Sequence, residues 1–184
     1  MRVVYITSNA KKLEAAQAEI DGSGIELVLE KIDVPEVQGF TVEEVGRIKA
    51  KYAAELLKQP VVMTDGGFSI KALKGFPGPF TKYTNEWLSA LDLIHLMQDK
   101  EDRTVELVEC LAYCEPGKEP VTFIQSIRGT MATTPGKEGW SPMNQVFIPD
   151  GYDTVLTEIP QNELPKFFGL NWGKFKEYLI HNNY

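Results

Sequence analysis

Three stretches of this chain carry residue types and spacings that could do chemistry. Val61 to Tyr83, VVMTDGGFSIKALKGFPGPFTKY, opens as an apolar strand, breaks at Thr64-Asp65-Gly66-Gly67 and ends in the turn Gly75-Phe76-Pro77-Gly78-Pro79. An acid where a strand stops is placed for chemistry, because open α/β sheets bind ligands beyond the carboxyl ends of their strands. Asp and Gly also dominate turns for conformational reasons, so the same four residues suit a plain turn. Thr7-Ser8-Asn9-Ala10-Lys11-Lys12 joins an apolar strand, Arg2 to Ile6, to a helical pattern, Ala10 to Ile20. Hydroxyls, free backbone N–H groups and the field of a helix N-terminus suit a phosphate there. The alternative is that Ser8 or Asn9 caps the helix and both lysines are solvated. Thr41-Val42-Glu43-Glu44 has capping-box order, which suits Glu44 as the capping acid; Lys49, five residues later, faces a different side of the same helix unless the helix end is turned toward a cleft.

The elements that must hold these residues alternate between strand and helix. Asp21 to Gly24 is a turn, Ile25 to Ile32 alternates like a half-buried strand, and the helix opened by Thr41 runs to about Leu57. Trp87, Leu88, Leu91, Ile94 and Met97 space one amphipathic helix over Asn85 to Met97, with His95 as a surface or packing residue. Thr104 to Tyr113 and Pro120 to Ile127 form a hairpin, and Gln145 to Ile148 a short strand. Asn171 is the expected cap of a last helix, Trp172 to Ile180, whose Phe175, Tyr178 and Leu179 pack inward. The pattern predicts an α/β domain around a mixed sheet.

The 184 residues contain no internal repeat or low-complexity linker and are read as one domain, 1–184. A net charge of -7 disfavours a nucleic acid polymer, which needs a basic face, but leaves room for a small anion held by a few local cations. The longest apolar runs fall far short of a membrane span, and MRVVYITSNAKK lacks the apolar core of a signal peptide, so no membrane partner and a cytoplasmic location are expected. Cys110 and Cys114 match neither the usual zinc spacing nor a secreted disulfide framework and are expected to be reduced.

Four segments, taken in order, extend this reading: Thr7-Ser8-Asn9-Ala10-Lys11-Lys12-Leu13-Glu14, Pro35-Glu36-Val37-Gln38-Gly39, Ala72-Leu73-Lys74-Gly75-Phe76-Pro77-Gly78-Pro79-Phe80 and Phe147-Ile148-Pro149-Asp150-Gly151-Tyr152. With them the chain resembles the inosine triphosphate pyrophosphatase family, whose members hydrolyse non-standard purine nucleoside triphosphates to the monophosphate and pyrophosphate. The resemblance runs from Arg2 to about Tyr178. It implies an elongated mixed β-sheet flanked by helices, two lobes with a central cleft, a magnesium ion (Mg2+) and a homodimer. It further implies that Thr7, Asn9 and Lys12 hold the triphosphate, with Lys49 and Lys82 as additional phosphate lysines. Glu44 and Asp65 would bind the metal, and Asp65 would also activate or orient the attacking water. Trp140, Phe147 and Lys166 complete the expected substrate contacts.

The chain also departs from that family at sites of chemistry. Thr64-Asp65 stands where paired acids are usual. Asn162-Glu163 and Lys166-Phe167-Phe168 stand where a Lys-Asn pair and Ser-His-Arg are usual, leaving Phe167 or Phe168 either to stack on a base or to pack in the core. Before Phe147, either Met143-Asn144 or Gly139-Trp140-Ser141-Pro142 aligns with a Phe-Gly-aromatic-Asp-Pro segment, and in both cases the acid is missing. The sequence therefore points to a nucleoside triphosphate pyrophosphatase with altered base recognition. Its alternative is a catalytically impaired nucleotide-binding protein on the same fold.

Overall fold

The computed structural model describes residues 1–7, 10–139 and 141–182. The apolar run Arg2–Ile6 forms strand β1, followed by helix α1 (Ala10–Glu19), β2 (Glu26–Glu30) and helix α2 (Val42–Leu57). Next come β3 (Val61–Ile70), β4 (Pro77–Gly78), the short helices α3 (Thr81–Trp87) and α4 (Ala90–His95), β5 (Thr104–Cys114), β6 (Val121–Met131), β7 (Phe147–Pro149) and helix α5 (Leu170–His181). The seven strands make one mixed sheet in the order β2-β1-β3-β5-β6-β7, with β4 on β3. β1 lies parallel to both β2 and β3, whereas β3 with β4 and β6 with β7 are antiparallel. This is the flanked mixed α/β sheet that the sequence predicts.

The chain divides into two compact units, and β3, β5 and β6 each contribute residues to both. The first comprises Met1–Asp65, Glu109–Gln125 and Phe168–Tyr184; the second comprises Gly66–Val108 and Ser126–Phe167. In the first, Val3, Tyr5, Val62, Leu111, Phe175 and Leu179 belong to one core, and Tyr5 meets Trp172 edge-on at 5.0 Å. Burial of Phe175 and Leu179, the inward residues expected of the last helix, contributes roughly 2–3 kcal/mol each. In the second, Phe68, Leu93, Met131 and Phe147 share a core.

Helix α2 shows how the sequence sets its own orientation. Thr41 takes an extended conformation and accepts the backbone N–H of Glu44 at 3.1 Å, as the capping signal requires. The Glu44 carboxylate reaches one residue further back than a capping box prescribes, accepting from Phe40 N at 2.9 Å. Val42, Val45, Gly46, Lys49, Ala50 and Ala53 follow helical spacing and form the buried stripe. Gly46 permits the close approach: a Cβ there would meet the Cys110 sulfur at 3.1 Å.

Three local expectations are corrected. β3 does not stop at Thr64-Asp65-Gly66-Gly67 but runs through them to Ile70, so Asp65 is a mid-strand residue. Neither glycine has a positive φ, and an added Cβ on Gly66 would lie 3.8 Å from the Val108 carbonyl, so extended pairing prevails over turn propensity. The single helix expected over Asn85 to Met97 is two, because Leu88 is extended and Ser89 begins a new capping box with Asp92. The last helix is capped by Gly169 at φ +88 rather than by Asn171, which is fully buried and donates through Nδ2 to the Glu109 carbonyl at 3.2 Å.

Candidate active site

The first unit gathers a set of charges around Asp65. Lys49 projects from the buried stripe of α2 with its ammonium 2.8 Å from Glu36 Oε2 and 3.2 Å from Asp65 Oδ2. Burial works to lower the Lys49 pKa, but its two carboxylate contacts outweigh that and hold it above the ordinary lysine value. Burial pushes the Asp65 carboxyl above the usual carboxylate range; Lys49 opposes the rise, Glu36 adds to it and Lys12 on α1 opposes it again. Asp65 Oδ2 is buried and, despite the nearby ammonium, makes no aligned hydrogen bond. The Lys49 ammonium at 3.2 Å is what compensates the burial of that oxygen.

Around this group the backbone order of β1, β3 and β5 supplies further polar side chains. Tyr5 OH and Thr64 Oγ1 are 3.1 Å apart, and burial holds the Tyr5 pKa above its usual value. Glu109 on β5 is likewise held above the carboxylate range by burial, with Lys12 and a backbone hydrogen bond from Gly169 pulling the other way.

The expected site residues divide accordingly. Lys49 and Asp65 come together, and the charge of Lys12 acts on the same acid. Glu44 is exposed whereas Lys49 is buried, so of the two arrangements left open the five-residue spacing puts them on different sides of α2. Thr7 follows β1 and is half-buried. Lys82 belongs to the second unit, with its ammonium 5.7 Å from the centroid of the Tyr83 ring. Phe147 is corrected as a substrate contact: pairing of β7 with β6 turns it into the core, fully buried and edge-on to Phe68 at 5.8 Å. Asn9, Trp140 and the Lys166 side chain lie outside the described residues.

In the tail, Phe167 takes the core alternative, packed edge-on to Tyr152, whose hydroxyl donates to Glu163 at 2.8 Å. Phe168 is partly exposed. Both cysteines are free and buried, and burial pushes the Cys110 thiol up to about 12, which leaves it protonated and unreactive.

Sequence reasoning missed Glu36 and Glu109. Glu36 lies within the Pro35 to Gly39 segment, without an assigned role. Glu109 occurs in the alternation Val105, Leu107, Glu109, Leu111, Tyr113, where every second residue shares a face and the acid interrupts an otherwise apolar series.

A model of the Ham1 family matches residues 3–167. The chain belongs to the Ham1 family. The dITP/XTP pyrophosphatase of Methanopyrus kandleri is 38% identical to this Ham1 chain over 164 residues, covering 89% of it and 87% of the relative. The inosine triphosphate pyrophosphatase of Tuber melanosporum is 38% identical over 142 residues, covering 76% and 77%. The solved HAM1 protein of Coxiella burnetii superposes with a TM-score of 0.86 at 20% identity, over 98% of this chain and 99% of that one, a likeness of fold. The resemblance drawn from the ordered sequence motifs agrees with the first two. Among the described residues no helix is long and apolar enough to cross a membrane.

Proposed function

We propose that this Ham1 chain is a nucleoside triphosphate pyrophosphatase that converts non-standard purine triphosphates, the dITP, XTP and ITP class, to the monophosphate and pyrophosphate. The observation that carries the proposal is Asp65: a partly exposed carboxylate whose buried Oδ2 is ion-paired with Lys49 at 3.2 Å and whose pKa burial raises. The names of the relatives at 38% identity supply the substrate class.

In this reading Asp65 takes a proton from the water that attacks the α-phosphorus. A new P–O bond forms, the bond to the bridging oxygen between the α- and β-phosphorus breaks, and pyrophosphate leaves with the electron pair. A carboxylate whose pKa burial holds above the ordinary range accepts the proton more readily than an ordinary carboxylate. Lys49 and Lys12 offset the negative charge of the phosphates, Lys49 passing from its carboxylate partners toward the ligand. Thr7 and Asn9 keep their expected phosphate contacts on the strength of the sequence motif.

The donor set fits a divalent metal. Among the described residues no group of three His, Cys, Asp or Glu side chains is placed to hold an ion by itself. Magnesium needs only one or two carboxylates when phosphate oxygens complete its shell, and the partly exposed Asp65 carboxylate is a suitable hard donor. Asp65 would hold it together with phosphate oxygens, Glu44 being turned to the other side of α2 from Lys49, and when bound it would supply charge neutralisation at the phosphates. Magnesium, a homodimer and a cytoplasmic location form part of the same proposal.

Incubating the chain with dITP, XTP, ITP, dATP and dGTP, with magnesium and with a chelator, tests it. Pyrophosphate release from the first three, suppressed by the chelator, is expected. A chain that hydrolyses none of the five while binding triphosphate would instead be the impaired nucleotide-binding protein.

A further inference from the structure

In the first unit the sheet ends at β2, which among the described residues has β1 as its one strand neighbour. The backbone of Glu26 turns toward β1, its N–H donating to the Met1 carbonyl at 2.8 Å. Strand alternation therefore points the N–H and C=O groups of Ile25, Leu27 and Leu29 the other way, and such an edge is a template for another strand. On this edge a side chain stands in for one. The Gln17 amide of α1 donates from Nε2 to the Ile25 carbonyl at 3.2 Å, and its Oε1 accepts the Leu27 N–H at 2.9 Å. One donor and one acceptor that meet residues two apart reproduce the bonds of a residue in an added parallel strand.

Beside this edge lies a groove of about 520 Å³ lined by Leu13, Glu14, Gln17, Ala18, Asp21 and Leu27. Leu13, Ala18 and Leu27 give it apolar surface, and Glu14 and Asp21 are exposed carboxylates. An aliphatic stem with a cationic head, the form of a lysine or arginine side chain, fits that combination. The chain itself brings a cation to one end of it, since Lys176 Nζ on α5 donates to the Asp21 carbonyl at 2.6 Å. A second copy fits less well. A two-fold axis would bring its β2 in antiparallel, and full pairing centred on Val28 would set Glu26 of each copy opposite Glu30 of the other, like charges that oppose the contact.

We propose that the β2 edge and the α1 groove form a docking site for an extended, basic peptide segment of another protein. The segment adds a strand along Ile25, Leu27 and Leu29, its backbone displaces the Gln17 amide, and a lysine or arginine side chain lies over Leu13, Ala18 and Leu27 toward Glu14 and Asp21. Backbone bonds supply affinity there, and the groove supplies the preference for a cation.

The test titrates the ¹⁵N-labelled full chain with three short synthetic peptides: one alternating valine and lysine, one alternating valine and glutamate, and the lysine peptide fully N-methylated. Saturable shifts of the Leu27 and Leu29 amides are expected with the first, binding at least about tenfold weaker with the second, and none with the third, which has no backbone N–H to donate. Gln17→Ala removes the stand-in and should tighten binding of the lysine peptide about threefold to tenfold, the scale of one hydrogen bond. Glu14→Gln with Asp21→Asn should weaken it about fivefold, as for two exposed charge pairs. No saturable shift with the lysine peptide, equal affinity for the two charged peptides, or shifts that survive N-methylation would overturn the proposal. The three-peptide comparison needs only wild-type protein, so it decides the matter even where a variant does not fold.

Discussion

The hydroxyls of Tyr5 and Thr64 meet at 3.1 Å between β1 and β3, strands that pair in parallel through Val4 with Val61 and Tyr5 with Val62. Tyr5 is 1% exposed, so Thr64 supplies a partner that water does not. The residue next to the proposed base is thus committed to holding a buried tyrosine. Thr64→Val is expected to lower stability by about 1–3 kcal/mol through loss of the buried hydroxyl's partner. Adding Tyr5→Phe should recover much of that loss, since removing both partners leaves no unmet group. Urea unfolding of the single and double variants measures it, and a double variant weaker than Thr64→Val by the full Tyr5→Phe effect would contradict it.

Asp65 makes activity and stability respond to pH in opposite senses. Its folded-state pKa lies above the ordinary carboxylate value, so between the two values the folded chain binds the proton more tightly than the unfolded chain. Stability therefore falls as pH rises through that window, and the cost is complete above the raised pKa. Activity does the reverse, because the base must be ionised. Asp65→Asn should reduce kcat by roughly 100-fold to 10,000-fold. At pH 8 it should be at least as stable as wild type, with that advantage fading as pH drops from the raised Asp65 pKa to the ordinary carboxylate value. Thermal melts and initial rates across pH report both.

Glu36 and Lys49 should move the acid limb of kcat/KM in opposite directions. Lys49 pulls the Asp65 pKa down and Glu36 pushes it up. Lys49→Met is therefore expected to shift the limb to higher pH, and Glu36→Gln to lower pH. The position of the limb is the readout, since Lys49→Met also weakens phosphate binding. Shifts of the same sign in both variants would contradict the arrangement.

In the second unit, Gly129 on β6 pairs with Pro149 of β7, and a Cβ there would stand 2.2 Å from the Ile148 carbonyl oxygen. Backbone cannot yield as a flexible side chain does. Gly129→Ala should cost about 1–3 kcal/mol of stability, the scale of overpacking, by forcing β6 and β7 apart. Chemical unfolding measures the loss, and the edge-on contact of Phe147 with Phe68 should loosen with it.

What was legible in the sequence was what depends on periodicity and capping. The apolar run of β1, the Thr41 signal of α2 and the inward Phe175 and Leu179 all follow from local rules that the packing leaves intact. Asp65 was found for a reason that the structure revises, since pairing carries β3 straight through both glycines. Asn171 has the composition of a cap, but the left-handed Gly169 starts the helix and frees the amide for burial. The acids were hardest to read. A glutamate paired with a lysine from another element has the same local sequence as a solvated one, and only the long-range contacts of Glu36 with Lys49 and of Glu109 with Gly169 distinguish them. Phe147 shows the converse, a residue from a recognised motif that serves the core.

The central claim, that Asp65 directs water to the α-phosphorus, is tested most directly by hydrolysing dITP in ¹⁸O-labelled water and locating the label by mass spectrometry. The account predicts one labelled oxygen in the monophosphate, none in the pyrophosphate, and no comparable turnover by Asp65→Asn. Label in pyrophosphate, orthophosphate as the released product, or undiminished turnover by Asp65→Asn would contradict it.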